Sequence, residues 1–262
     1  MDRGFGVAGS LDLAIIRQLA PLLESLGFRT LWVNDTPDGD SLAGCAAATE
    51  VTRRLQVATG VIPIDRRDAE EIVGDVRRRG IPADRLTIGI GSGRAPRPLD
   101  RVRMAVAELR RLADPATSIA AGALGPRMTA LAAAISDDVL LNWLTREAAG
   151  VSSAQIAAAA GAAHRAPPRV TAYVRVATVP EAIARLGDEA ARYASYPSYA
   201  AHFRRFGVDA IDTTIGSEDA AVVRDRLAAY AGTVDEIVVR AITAAETFEA
   251  YRDLAILTRP AV

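Results

Sequence analysis

Short apolar runs alternate with amphipathic or alanine-rich segments from one end of this chain to the other, and that rhythm leaves few folds open. Strands are expected at residues 4–8, 30–34, 55–59, 86–90, 118–121, 138–141, 169–176 and 236–240. They read as continuous apolar runs rather than alternating ones, as strands covered on both faces should. Helices are expected at 11–25, 41–52, 68–79, 99–112, 126–135, 153–163, 180–193, 219–231 and 245–257, with an additional helical piece at 198–206. The first carries Leu11, Ile15, Leu19, Leu22, Leu23 and Leu26 on one side and closes on Gly27 as a C-cap. Residues 209–214 read as a short strand or a loop. Eight strand–helix units in 262 residues are the arithmetic of a (β/α)8 barrel, here a TIM barrel in the α/β class. An open doubly wound sheet uses the same units, and periodicity alone does not separate the two. No low-complexity linker or shift in composition divides the chain, so a single domain over 1–262 is expected.

Composition removes several chemistries. All 31 basic residues are arginine, so a lysine Schiff base is excluded, and class I aldolase and pyridoxal-phosphate chemistry with it. The two histidines, His164 and His202, share no metal-ligand spacing, and no metal is expected. A net charge of −1 gives no reason to expect nucleic acid or a membrane surface as partner. No apolar span is long enough for a bilayer and no secretory signal is read, which makes a cytoplasmic location the expectation. The single cysteine, Cys45, fits a reducing compartment and reads as a packing residue. Alanine richness without lysine suggests a GC-rich genome.

Barrel enzymes work at the carboxyl ends of their strands, and several such ends carry candidates. After the fifth strand, Gly125 would sit near the N-cap of a helix with Pro126 at N1 and Arg127 adding a positive charge. Free first-turn N–H groups and the macrodipole make such a helix start a phosphate cradle, though Gly-Pro also opens ordinary helices. The fourth strand ends in glycines 89, 91 and 93 with Ser92 and Arg94, which reads as either a ligand-approaching loop or a tight turn. This is not the dinucleotide fingerprint, because its third glycine is missing. Asn34 and Asp35 end the second strand, where they either hydrogen-bond a ligand or cap the next helix. Asn142 and Trp143 end the sixth and offer an amide and a flat apolar face, or plain packing. Tyr173 and Arg175 alternate with valines and so point into the barrel, where an arginine needs an anion or a carboxylate. His202 reads as a surface helix residue, and His164 lies in a solvated loop. A phosphate cradle and an apolar pocket without an evident acid or base suit chemistry carried by a bound cofactor.

Over residues 55–63, 86–93, 123–128 and 137–145 the chain resembles the bacterial luciferase-like flavin- and deazaflavin-dependent oxidoreductases, in particular the actinobacterial coenzyme F420 group. The resemblance extends more weakly from about residue 4 to 251. It implies a cofactor at the carboxyl face of the barrel, backed by a non-proline cis peptide that maps to Gly60 and Val61. It implies phosphate contacts at Gly91, Ser92 and Gly93 and at Gly125, Pro126 and Arg127, with Asn142 and Trp143 completing the cofactor site. The implied reaction is hydride transfer between F420 and a small organic substrate. The alternative is an FMN-dependent monooxygenase, and a third reading is a non-catalytic barrel that keeps the fold. A homodimer and an actinobacterial source are implied as well. Family members often place a carboxylate or histidine at the end of the first or second strand. Here the first ends in Ala8, Gly9 and Ser10, leaving Asn34 and Asp35 as the catalytic candidates. The chain is also short for the family, which implies shortened loops around the substrate.

Overall fold

Along each barrel strand alternate residues face opposite ways, and the two sets differ in size. The outward set, including Phe5, Val7, Leu31, Val33, Ile88, Ile90, Val139 and Leu141, is large, apolar and fully or almost fully buried against the helices. Burial of each such side chain is worth about 1.5–3 kcal/mol. The inward set mixes small residues with charged ones and a few large ones. Trp32 and Tyr173 meet edge to face inside the barrel at 5.9 Å between centroids, packed with Ala58, Ala120, Leu140 and Val238.

The computed structural model describes residues 1–260. In chain order the elements are β1 (Asp2–Ala8), α1 (Leu13–Ser25), β2 (Thr30–Asn34), α2 (Ser41–Val51), β3 (Gln56–Thr59), β4 (Ile62–Pro63), α3 (Ala69–Arg79), β5 (Leu86–Gly91), α4 (Pro98–Leu112) and β6 (Ser118–Ala123). There follow α5 (Pro126–Ile135), β7 (Asp138–Asn142), α6 (Arg146–Ala162), β8 (Arg169–Ala177), α7 (Pro180–Ala194), α8 (Pro197–Phe206), β9 (Ile215–Gly216), α9 (Ala220–Ala228), β10 (Glu236–Ala241) and α10 (Phe248–Thr258). All pairings are parallel, and β10 bonds to both β1 and β8, so eight strands close a TIM barrel. The short β4 and β9 extend the walls beyond β3 and β8.

The expected strands coincide with the eight barrel strands to within two residues at either end. Helix ends follow their local chemistry. Asp68 forms a reciprocal capping box with Glu71 at α3, and Gly80 closes that helix with φ +62°. Thr145 caps α6, so that helix begins at Arg146, two turns before the expected start at 153. Residues 209–214 are largely a 3-10 turn over Ala210–Thr213, leading into β9. Among the described residues no helix is long and apolar enough to cross a membrane.

Candidate functional site

The wall of the barrel is interrupted at the end of β3. Ala58 pairs with Thr87 and Ile62 with Ile90, so four steps along β3–β4 match three along β5. That extra residue is a β-bulge at the carboxyl face, a device that re-aims side chains next to sites. The Thr59 hydroxyl takes over the missing ladder contacts, accepting from Gly89 N at 2.8 Å and donating to Gly89 O at 2.9 Å. The Gly60-Val61 peptide is cis, as the resemblance implied.

The bulge sends the Val61 side chain across the mouth. A Cβ at Gly91 would lie 2.6 Å from Val61 Cγ2, and one at Gly122 would lie 3.4 Å from Val61 Cγ1. A Cβ at Gly89 would collide with the Thr59 carbonyl. Glycines in β5 and β6 therefore make room for the protein's own bulge. Below it, the Tyr173 hydroxyl comes so close to Gly60 that a Cβ there would collide with it. That hydroxyl is buried with no hydrogen-bond partner among the described residues, and burial pushes its pKa well above the usual phenol range.

Asn34 and Asp35 stand beside the bulge but differ in what they have left to offer. The Asp35 carboxylate accepts from Ser41 Oγ at 2.8 Å and is paired with Arg66, so it is committed to tying the loop before α2. Asn34 Oδ1 is buried and has no hydrogen-bond partner among the described residues. The loop after β5 is met by a carboxylate from the loop after β4: Asp65 Oδ2 accepts from Arg94 N at 2.8 Å and lies over Gly93, whose φ is +55°. Gly91 is buried, Ser92 half-buried and Gly93 exposed. Asp65 meets this loop where an anion would have to lie.

The start of α5 is different. Gly125 is its N-cap, Pro126 is at N1, and neither a side-chain cap nor an acidic residue occupies the first turn. Arg127 is exposed there. Arg205 of α8 reaches in from the other side, donating to Leu124 O at 3.2 Å, and a Cβ at Gly125 would find its Nη2 at 3.7 Å. Two guanidinium groups thus flank an uncapped helix N-terminus at the end of β6.

His202 corrects the expectation of a surface residue: it is 2% exposed. Its Nδ1 and Nε2 each lie 2.8 Å from a carbonyl oxygen, those of Leu124 and Trp143, so it pins α8 across the ends of β6 and β7. Burial pulls the imidazole below its ordinary pKa, while the two carbonyls pull the other way. Asn142 Oδ1 accepts from Arg175 Nη1 at 2.8 Å, and Arg175 Nε donates to Glu189 at 2.6 Å. The same guanidinium stacks 3.6 Å over the Trp143 ring. Trp143 is 1% exposed, held between Tyr193 and Phe203. Burial alone would raise the Glu189 carboxyl, but the charge and hydrogen bond of Arg175 hold it below the usual carboxylate range. Tyr199 closes the cluster, its phenol pushed by burial up to about 12.

The structure thus brings Gly60, Val61, Gly91 and Asn34 to one mouth, with the α5 start on its rim. It packs Trp143 and Asn142 beneath α7 and α8. Sequence reading missed Asp65, Glu189, Arg205 and Arg240. The inward parity that placed Tyr173 and Arg175 also applied to Arg240 on β10. The other three lie on loops or helices remote in sequence and gave no local signal.

No protein-family model matches this chain, and no curated protein matches it by sequence. Solved structures do match, across nearly its full length. The F420-dependent secondary alcohol dehydrogenase in complex with an F420-acetone adduct aligns with a TM-score of 0.77 at 13% identity, over 99% of both chains. The coenzyme F420 dependent tetrahydromethanopterin reductase of Methanopyrus kandleri aligns with a TM-score of 0.73 at 16% identity, over 97% of this chain and 96% of that one. The oxygenating constituent of 3,6-diketocamphane monooxygenase from Pseudomonas putida, in complex with FMN, gives 0.69 at 14% identity over 98% of each. The fold is the one that these two F420-dependent enzymes share with the FMN-bound monooxygenase constituent.

Proposed function

We propose that this chain is an oxidoreductase that holds coenzyme F420 at the barrel mouth and acts on a small organic molecule. The observation that carries the reading is the bulge at Gly60 and Val61, set in the mouth of a barrel whose fold is shared with F420- and FMN-holding structures. When bound, the deazaflavin supplies the hydride-transfer chemistry. The chain's own part is to hold and orient. The bulge and the Val61 side chain offer a shaped apolar floor over Gly91 and Gly122. Asn34 Oδ1, buried and unpartnered, is an acceptor waiting for a donor on a ring edge. The N-terminus of α5, with Arg127 and Arg205 beside it, fits a phosphate. The loop of Ser92 and Gly93 fits one less well, because the Asp65 carboxylate already lies there. α8, fixed by His202, and α7 beside it cover the β6–β8 side of the mouth. Asp35 and His202 are both engaged, which favours orientation over acid–base work.

A phosphate site of this kind serves FMN as well, and an FMN-dependent monooxygenase is the second reading. Fluorescence titration of the purified protein with F420 and, separately, with FMN distinguishes the two. Tight F420 binding with weak FMN binding supports the deazaflavin reading, and the reverse preference supports the flavin one. Failure of both to bind removes the redox reading and leaves a barrel without this cofactor. Arg127→Ala is expected to weaken cofactor binding by about 1.5–3 kcal/mol, the loss of one charge-assisted hydrogen bond. An unchanged dissociation constant would remove Arg127 from the site.

A further inference from the structure

The mouth is covered on one side only. α7 and α8 close it over β6, β7 and β8, while a cleft of about 280 Å³ stays open between α7 and the ends of β1 and β10. Arg185, Asp188, Arg192, Arg240 and Glu246 are among the residues that line it.

Three arginines share the inward face of β8 and β10, and their partners set them apart. Arg169 donates to Asp2 at 2.9 Å and lies 3.5 Å from Glu236. Arg175 is held by Glu189 and Asn142. Arg240 donates only to the carbonyl of its neighbour Ala241, at 2.6 Å, and no carboxylate of the described residues forms an ion pair with it. It is half-buried, and a guanidinium carries five N–H donors in a planar fork. Most of that fork is left to the cleft.

The position of Arg240 ties the cleft to the bulge. It lies one inward layer above Val238, which is level with Tyr173, the residue whose hydroxyl touches Gly60. Gly6 is pressed by all three: a Cβ there would stand 3.1 Å from Val238 Cγ1, 3.3 Å from the Arg240 backbone and 3.3 Å from the Tyr173 ring.

Charge in the cleft selects among anions. Glu189 is committed to Arg175, and Arg185 donates to the carbonyls of Thr243 and Ala244 at 2.7 and 3.0 Å. Asp188 and Glu246 are exposed at the rim and, like the exposed Arg192 that also lines the cleft, form no ion pair among the described residues, so these three leave a net negative charge there. Their charges oppose a phosphate dianion more than a monoanion. A planar carboxylate matches the Arg240 fork in shape and charge.

We propose that Arg240 anchors a carboxylate on a small organic molecule, bound in this cleft at the carboxyl ends of β1 and β10. As the substrate end of the redox site the inference rests on the function proposed above; as a carboxylate site it rests on the geometry of the chain alone.

The test is calorimetric titration of the purified chain, without cofactor, with benzoate and in parallel with inorganic phosphate at low ionic strength. Benzoate is expected to bind, and to bind more tightly than phosphate. Arg240→Gln should weaken benzoate on the order of tenfold or more, the loss of a charge-assisted pair. Arg240→Lys keeps the charge without the fork and should weaken it several-fold, which keeps the test decisive if the glutamine variant does not fold. Benzoate that fails to bind the wild type, that binds either folded variant as tightly, or that binds more weakly than phosphate overturns the proposal. If benzoate binds through Arg240 while F420 and FMN both fail, the carboxylate site stands and the redox reading falls. The opposite pair of results removes the anchor and leaves the redox reading in place.

Discussion

Gly60 is held from both sides. A Cβ added there would collide with the Tyr173 hydroxyl and stand 2.9 Å from Tyr173 Cζ and 3.2 Å from Trp32 Cε3. Both rings are locked against each other inside the barrel, so neither can swing away. Gly60→Ala is therefore expected to cost about 1–3 kcal/mol, seen as a lower urea midpoint with an unchanged slope. Adding Tyr173→Phe should recover only part of the loss, because Cζ remains in the way. A midpoint equal to wild type for Gly60→Ala would show that the barrel relaxes around residue 60. Residues 60 and 173 are each singled out from the sequence, one by the family resemblance and one by inward parity. Their contact could not, because it crosses the barrel between strands that are not neighbours.

At the scale of elements, α8 was legible and its task was not. Pro197 at N1 and Gly207 with φ +64° bound it by local chemistry alone. Its docking depends on His202, which reaches the carbonyls of Leu124 and Trp143 at the ends of two different strands. His202→Leu removes the ring nitrogen that meets the buried Trp143 carbonyl and is expected to cost about 1–3 kcal/mol by leaving that carbonyl unpaired. The variant should be cut faster by a protease in the turn before Pro197, with the rest of the chain still folded by circular dichroism. Equal cutting of the two proteins would mean that the aromatic packing of Phe203 on Trp143 holds α8 without the histidine. A helix face that is buried only by an insertion folding back over the barrel carries no periodicity that distinguishes it from a surface helix. That is why the sequence alone places His202 on a surface helix.

At the scale of the whole molecule, the opposite end of the barrel sets a pH dependence. Glu236 and Asp138 both point into its floor. Burial, reinforced by the Asp138 charge, raises Glu236 to about 7, against the Trp32 indole N–H at 3.2 Å and the charge of Arg169. Burial also raises Asp138 to about 6, opposed by Thr171 at 2.7 Å and by Arg169, with Asp235 adding repulsion. Raised carboxyls mean that the folded chain binds protons more tightly than the unfolded one. Their contribution is complete below the ordinary carboxylate range and is lost as pH rises through about 6 to 7. Glu236→Gln keeps an acceptor for Trp32 and removes the titration. It should flatten the fall in stability between pH 5 and 8 by about 2–3 kcal/mol in chemical denaturation. An equal slope in both proteins would show that water or Arg169 already compensates the charge. The sequence by itself determined the eight βα units, the outward apolar faces, most helix boundaries and the candidate strand ends, because these depend on neighbours within a few residues. Tertiary structure decided whether the sheet closed, since β10 must meet both β1 and β8. It also decided which polar groups were already paired: Asp35 by Arg66, Arg175 by Glu189, and Arg240 by no carboxylate. The physical reason is the same throughout. Pairing inside a barrel joins residues far apart in sequence, and only the closed geometry fixes which partner each one meets.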